Sequence, residues 1–144
     1  MLTSGVADDE KRVASRGARA HAGAMRIRKA SARDLDVVTE FRLEFLAEHR
    51  GIDRAAIDHA TAVATQAFVD DAHEAGRWHS WLAESGVETV GIVSTALFDV
   101  PPLPAEPRTR EALVLNMYVL PGHRSKGLGR ELFDACLTDV PALG

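Results

Sequence analysis

The stretch NMYVLPGHRSKGLGRELF, residues 116–133, ends an apolar run at Pro121 and then places two glycines and three cations between residues 124 and 130. A glycine-rich turn that leaves a buried strand and enters a helix exposes backbone N–H groups at the positive end of the helix dipole. Anions bind at such helix N-termini. The stretch therefore predicts a strand, a loop and a helix, with an anion-binding site in the loop.

The residues of this loop suit a diphosphate group. Gly127 and Gly129 allow backbone conformations and a close ligand approach that a Cβ would prevent. Arg124, Lys126 and Arg130 add positive charge around the loop, and a diphosphate can take both backbone amides and a bidentate guanidinium. Two simpler interpretations stay open: the glycines only shape the turn, and the cations are solvated surface charge.

Two common phosphate-binding loops do not fit the sequence. A Walker A loop requires Gly-Lys followed by Ser or Thr, whereas Gly127 is followed by Leu128. The dinucleotide fingerprint requires a third glycine where Leu132 stands, and only 15 residues follow Gly129, too few for the rest of a nucleotide-binding βαβ unit. Both the nucleoside triphosphate and the dinucleotide interpretations therefore fail.

Hydrophobic spacing upstream predicts a strand followed by two helices. MRIRKA, residues 25–30, alternates apolar and basic residues, as a short strand does. Ser31 and Asp34 form a variant of the capping box that opens the first helix, which Gly51 ends. Its apolar stripe comprises Leu35, Val38, Phe41 and Phe45. Asp53 is expected to cap a second helix ending at Gly76. The stripe of that helix is expected to comprise Ile57, Ala60, Ala64 and Phe68.

The remaining chain predicts three strands and a last helix. Two extended runs from Trp78 to residue 100 surround a glycine-containing turn, which is typical of an antiparallel hairpin. A proline-rich surface loop follows at 100–111, and the apolar segment 112–119 predicts a strand covered on both faces. The last helix is predicted at 128–138, with its buried side formed by Leu128, Leu132, Ala135 and Cys136. The order is β-α-α-β-β-β-α, an α/β fold.

Length and composition indicate one soluble domain. With 144 residues, of which 46% are hydrophobic and 26% charged, the chain can form one core. Residues 1–24 lack an apolar period and are expected to be a disordered leader, so the domain is 25–144. No apolar run approaches the roughly 20 residues of a membrane span, and the leader lacks the apolar region of a secretory signal. We therefore expect a cytoplasmic protein that does not bind membranes.

Charge and cysteine content exclude further classes of function. A net charge of -4 argues against nucleic-acid binding, which depends on clustered excess cation. A single cysteine, Cys136, excludes an internal disulfide framework and a site with several thiolates, and its place on the apolar helix stripe favours the core. The six histidines form no His-x-x-x-His pair, so no metal site is expected.

The loop Arg124-Ser125-Lys126-Gly127-Leu128-Gly129 resembles motif A of the GCN5-related N-acetyltransferases, the GNAT superfamily. The hallmark of that motif is Arg/Gln-x-x-Gly-x-Gly/Ala, and every defined position matches. The setting between a strand and a helix and the order of the upstream elements are also similar, over roughly residues 25–138. The resemblance implies a GNAT-like acyl-CoA N-acyltransferase fold with a mixed sheet.

The resemblance also implies a cofactor and an activity. Members bind acetyl-CoA, and the loop amides hold its diphosphate; this implies a diphosphate site formed by Arg124, Ser125, Lys126, Gly127, Leu128, Gly129 and Arg130. The preceding strand, here 113–119, bulges in the family and pairs with the pantetheine arm, which implies a role for Met117, Tyr118 and Val119. An amide near Met117 would polarise the thioester carbonyl. The implied reaction is direct acetyl transfer to a primary amine of a small molecule or peptide.

The catalytic residues are less clearly indicated. Family enzymes use a carboxylate or a water chain as base and commonly a tyrosine as acid, but Tyr118, the only tyrosine, lies in the cofactor strand and does not match that acid. Asn116 and Tyr118 share a face of a regular strand and are candidates to line the acceptor site. Glu44, Glu48 and His49 lie where members often contact the acceptor, although a solvated helix surface is favoured.

The sequence departs from the family at its C-terminal end. A GNAT domain continues past this helix with another strand, a fourth helix and a hairpin, whereas this chain ends at Gly144. We therefore expect a C-terminally incomplete domain: a truncated product, a chain completed by a partner such as a second copy in a homodimer, or a remnant. The alternative function is a non-catalytic CoA-binding or partner-binding module. An incomplete domain that folds poorly, with strand 113–119 as an exposed edge, is a third interpretation.

Overall fold

The structure, a computed structural model, describes residues 25–143. Its strands and helices are β1 Met25–Lys29, α1 Leu35–Arg50, α2 His59–Glu74, β2 Trp78–Ser85, β3 Glu88–Asp99, β4 Arg110–Val119 and α3 Leu128–Asp139. The predicted order of elements is confirmed. The expectation that residues 1–24 form a disordered leader lies outside the described residues.

The four strands form one sheet in the order β1-β2-β3-β4. Every pairing among the described strands is antiparallel. The sheet of the described residues is therefore antiparallel and not mixed as expected. The reason for two of these three pairings is the short connections: β2 and β3 are joined by a two-residue turn, and β3 and β4 by a loop without a helix. Parallel neighbours would need a crossover between them.

The helices cover the sheet on both faces and create two cores. On one face, α1 and α2 bury a cluster that includes Val38, Leu82 and Ile92. On the other face, α3 packs its Leu132 with Trp81. Because neighbouring strand residues point to opposite faces, Trp81 and Leu82 belong to different cores. Between residues 25 and 143, no helix has the length and apolar character needed to cross a membrane.

The predicted end of α1 is confirmed, and the predicted capping box opens a 3-10 turn, Ala32–Asp34, that leads directly into α1. Asp34 accepts a hydrogen bond from the backbone N–H of Ser31 at 2.7 Å, and the two residues form the capping box. The Arg28 guanidinium also donates to Asp34 and holds the pKa of that carboxyl well below its usual range. At the other end, Gly51 takes the left-handed conformation with φ 65°.

The predicted apolar stripe of α2 is wrong. Phe68 is 56% exposed, and Ala60 and Ala64 are exposed as well, whereas Val69 and Ala72 form the buried face. The cap was misassigned: Asp53 caps a short 3-10 turn, and Asp58 accepts from the N–H of Thr61 at 2.7 Å to begin the helix. The helix therefore starts later than expected and presents a different face. Ile57 precedes it and is half-buried.

The prediction that strand 112–119 is covered on both faces holds only for its second half. Leu113 is 56% exposed, whereas Asn116 and Tyr118 are buried. The reason is that β4 is an edge strand and the helices cover only the end that leads to Val119.

Leu132→Ala is expected to lower the free energy of unfolding by about 2–5 kcal/mol, because it removes a fully buried side chain and leaves a cavity. Leu132 lies so close to β3 that a Cβ added at Gly91 would be 3.0 Å from its Cδ1. Urea denaturation monitored by circular dichroism measures the change. Phe133→Ala is the matched control, because the Phe133 side chain is 38% exposed. Equal losses in the two variants would contradict the packing of α3 on the sheet.

Candidate functional site

A β-bulge interrupts β4 at Asn116 and Met117. Ser94 of β3 pairs with Leu115 and Ile92 pairs with Tyr118, so two residues of β4 oppose one residue of β3. Asn116 takes a left-handed conformation with φ 54°, which asparagine tolerates better than most residues. The strand is therefore irregular where the family resemblance implies a bulge.

Asn116 and Tyr118 both contact α1, although the strand between them is not regular. The Arg42 guanidinium donates a hydrogen bond to the Asn116 side-chain oxygen. The Tyr118 ring meets the edge of Phe41, with ring centroids 5.9 Å apart. The two sequence candidates for the acceptor site are thus on the face of the sheet that α1 covers.

Past the bulge, no strand of residues 25–143 pairs with the outer edge of β4. The N–H of Leu120 donates to the carbonyl of Val90 at 2.9 Å, and Tyr118 pairs with Ile92. Because hydrogen-bonded and non-hydrogen-bonded pairs alternate in an antiparallel ladder, the N–H and C=O of Val119 point away from β3. Its carbonyl accepts instead from Arg124 Nε at 2.7 Å.

The loop before α3 forms a nest of backbone N–H groups. Gly127 has φ 81° and Ser125 has φ 62°, left-handed conformations that turn successive amides outward. Within residues 25–143, no acceptor bonds the backbone N–H groups of residues 125–130, and the helix ladder begins with Glu131 N–H to Gly127 C=O at 3.1 Å. A Cβ at Gly127 would meet nothing within 4 Å. The nest is therefore open and can accept an anion.

A cleft of about 320 Å³ lies between the last turns of α1 and the end of β4. It is lined by Phe45, Glu48, His49, Met117, Tyr118, Val119 and Arg124. Four of the predicted cofactor residues therefore meet in one cleft. The other six, 125–130, form the loop and the first turn of α3 that follow Arg124.

Arg124 bridges this cleft. Its Nη2 donates to Glu48 Oε2 at 2.6 Å, and its guanidinium carbon lies 5.3 Å from the centroid of the Tyr118 ring. The hydrogen bond from Arg124 holds the pKa of Glu48 below its usual value. Burial, with the negative charge of Glu48, raises the pKa of Tyr118. The cleft thus holds an ionised carboxylate and a neutral phenol at neutral pH.

Glu48 and His49 are exposed, as expected of a solvated helix surface, and both also line the cleft. The imidazole of His49 stacks on Phe45, with ring centroids 5.9 Å apart. The signal was present in the sequence, since residues 41, 45, 48 and 49 share one face of a helix. Arg42 was missed, because a single cation on a helix carries no spacing signal.

Arg124→Gln is expected to raise the pKa of Glu48 toward the ordinary value, because the neighbouring cation favours the charged carboxylate. In the unsubstituted protein, the Glu48–Arg124 pair stabilises the fold at pH values above the pKa that Glu48 has in the unfolded chain. This stabilisation is lost as the pH falls through the lower pKa that Glu48 has in the folded protein. Side-chain carbon NMR titration of Glu48 measures the shift. Lys126→Gln removes a charge from the same loop and serves as the control. A shift of equal size in both variants would show that the Arg124 contact is not its cause.

Comparisons with known proteins agree with this arrangement. A family model described as "Acetyltransferase (GNAT) family" matches residues 40–144. A predicted acetyltransferase from Clostridium acetobutylicum, solved with acetyl-CoA, is 22% identical with a TM-score of 0.71, covering 82% of this chain and 74% of its own. A GCN5-related N-acetyltransferase from Ralstonia eutropha is 24% identical with a TM-score of 0.65, covering 82% and 76%.

An aminoglycoside N-acetyltransferase solved in complex with CoA is 17% identical with a TM-score of 0.63, covering 83% of this chain and 71% of its own. No curated protein matches the sequence significantly. At such identities, the likeness to solved structures establishes the fold.

Proposed function

Because the chain belongs to the acetyltransferase (GNAT) family, we propose that it transfers an acetyl group from acetyl-CoA to the primary amine of a small molecule or peptide. One observation carries this proposal. The open amide nest before α3 directly follows, along the chain, the part of β4 past the bulge, where the outer edge of the strand is free of a partner among the described residues. One end suits a diphosphate and the other suits an extended amide chain, which are the two parts of CoA nearest the thioester.

The cofactor would lie along these two features. The N–H groups of residues 125–130 and the positive end of α3 would hold the diphosphate, with Lys126 and Arg130 exposed beside them. Arg124 would exchange its bond to Glu48 for a phosphate oxygen. The pantetheine amides would pair with β4 at Met117 and Val119 as an added strand does. Acetyl-CoA would supply the activated acetyl group.

The residues around the bulge would then serve the transfer. The amine would attack the thioester carbonyl, and the negative charge that develops on its oxygen would be stabilised by the N–H of Met117 at the bulge. Return of that charge to the carbonyl would break the C–S bond and release CoA as a thiolate, which takes up a proton from solvent. A free amine is needed, although an amine with a pKa near 10 is mostly protonated at pH 7, a cost of about 4 kcal/mol. Glu48 is the carboxylate among the lining residues named above, and we assign it the role of proton acceptor.

Two measurements on the full chain test the proposal. Isothermal titration should show CoA binding, and free thiol should be released from acetyl-CoA in the presence of a panel of primary amines. Thiol release that depends on the amine supports acetyl transfer. CoA binding without turnover on any amine would replace the proposal with a non-catalytic CoA-binding module. A folded chain that binds no CoA would overturn both.

A further inference from the structure

Arg42 differs from every other arginine that the structure describes. The others are either exposed, as at positions 33, 50, 77 and 130, or paired with a carboxylate, as at 26, 28, 54, 108, 110 and 124. Arg42 is half-buried on α1, and no carboxylate of residues 25–143 pairs with it. Its contacts are the Asn116 side-chain oxygen and the Phe45 ring, 6.0 Å from its guanidinium carbon.

An unpaired guanidinium in this position is costly. Removing a charge from water without a partner of opposite sign is unfavourable, and desolvation accordingly lowers the pKa of Arg42. A guanidinium nevertheless stays protonated in proteins. The chain therefore maintains a partly desolvated cation whose remaining N–H donors are available to an anion.

Asn116 provides an independent indication of a ligand at the same place. Its side chain is 2% exposed, and its Nδ2 has no hydrogen-bond partner among the described residues. The amide is oriented by Arg42, because only its oxygen can accept from a guanidinium. A buried donor without an acceptor is unfavourable by itself. Because Arg42 and Asn116 are hydrogen-bonded to each other, the unused donor of Asn116 belongs to the same pair as those of Arg42. Together they call for a ligand that accepts hydrogen bonds and carries negative charge.

The position of this pair relates it to the proposed reaction. Asn116 directly precedes Met117, which lines the cleft, and Arg42 lies one helical turn before Phe45, which also lines it. Arg124 lines the same cleft, and the amide nest follows Arg124 along the chain. A cofactor whose diphosphate occupies the nest would bring its thioester toward the bulge, and the acceptor would approach from the Arg42 side.

We infer that the acceptor is an amine that also carries a carboxylate, as an amino acid does, and that Arg42 and the Asn116 amide bind this carboxylate. The inference rests on the proposed acetyl transfer and adds the class of substrate. A guanidinium binds a carboxylate through two parallel hydrogen bonds, and the hydrogen bond to Asn116 fixes its orientation. A neutral amine would leave both groups unsatisfied.

The test compares acceptors that differ only in the carboxylate. Amino acids and their primary amides are assayed by acetyl-CoA-dependent thiol release, and the ratio of kcat/KM for acid over amide is measured in each variant. Arg42→Gln is expected to lower this ratio on the order of 10- to 100-fold, the value of a hydrogen bond to a charged group. Arg50→Gln, which removes an exposed arginine from the same helix, should leave the ratio unchanged.

A binding experiment keeps the inference testable without turnover. N-acetylglycine and N-acetylglycinamide are titrated into the complex of the protein with CoA, and only the acid should bind. Arg42→Gln should abolish this binding while the Kd for CoA stays the same. Arg42→Lys, which keeps the charge but not the paired hydrogen bonds, should weaken it less and replaces Arg42→Gln if that variant does not fold.

The outcomes separate this inference from the proposed function. Equal kcat/KM for acids and amides in the unsubstituted protein overturns the carboxylate site but leaves acetyl transfer intact. CoA binding without any turnover overturns the proposed acetyl transfer. In that case, binding of N-acetylglycine but not of N-acetylglycinamide, if it depends on Arg42, would still support the carboxylate site. Absence of that selectivity in the CoA complex overturns the site whatever the activity. A CoA affinity that falls in Arg42→Gln would assign Arg42 to the cofactor instead.

Discussion

Gly127→Asp is expected to bind CoA on the order of 100-fold more weakly than Gly127→Asn, because a carboxylate in the amide nest would repel the diphosphate that we propose binds there. Both side chains have nearly the same shape, and both tolerate the left-handed conformation at φ 81° better than most residues do. The pair therefore differs by one charge. Unit charges about 4 Å apart interact by about 4 kcal/mol near a protein surface, and counterions reduce this. Isothermal titration with CoA measures the ratio.

Gly86 provides the matched control for Gly127. It lies in the turn between β2 and β3 with φ 62°, and a Cβ there would also meet nothing within 4 Å. Gly86→Asp and Gly86→Asn should bind CoA equally. The ratio between the two Gly127 variants should shrink as salt is added. Equal affinities of the Gly127 variants at low salt would contradict a diphosphate site in this loop.

Asn116→Val is expected to lower kcat on the order of 100-fold or more, because it strains or removes the bulge that, in the proposed mechanism, aims the Met117 amide at the thioester. A β-branched residue is strongly disfavoured at φ 54°. The variant either keeps the bulge under a strain of about 1–3 kcal/mol or shifts the register of β4. Thiol release and thermal unfolding measure the two effects together.

Asn116→Gly separates the backbone from the side chain. Glycine accepts φ 54° without strain, so the bulge and the Met117 amide should stay in place while the bond to Arg42 is lost. This variant should keep most of its kcat with neutral amines and lose its preference for acids. If Asn116→Val were as active as Asn116→Gly, the bulge would not be part of the catalytic machinery.

Local signals in the sequence were sufficient for the elements that position the site. The motif 124–129 lies between a strand and a helix as predicted, and Gly51 and Gly76 end α1 and α2 in left-handed conformations. Each of these features depends on a few adjacent residues, so their chemistry could be interpreted before the fold was known. The family match at 40–144 includes the same loop.

Features that depend on contacts distant in sequence could not be predicted in this way. The buried face of α2 is chosen by which side meets α1 and the sheet, and a helix of mostly small residues offers no strong stripe. The Arg42–Asn116 pair joins residues 74 positions apart. The left-handed Asn116 follows from strand pairing with β3, which no local pattern in NMYV reveals.

The place of β4 at the edge of the sheet also determines how the site can be observed. Amides in the middle of β3, where residues 90–95 are buried and the strand is bonded on both sides, are expected to exchange with deuterated solvent only when the whole domain unfolds. The outward N–H of Val119 has no such protection within the described residues. Slower hydrogen–deuterium exchange of individual amides in the second half of β4 would therefore show that CoA occupies the cleft. The measurement requires neither an acceptor amine nor turnover.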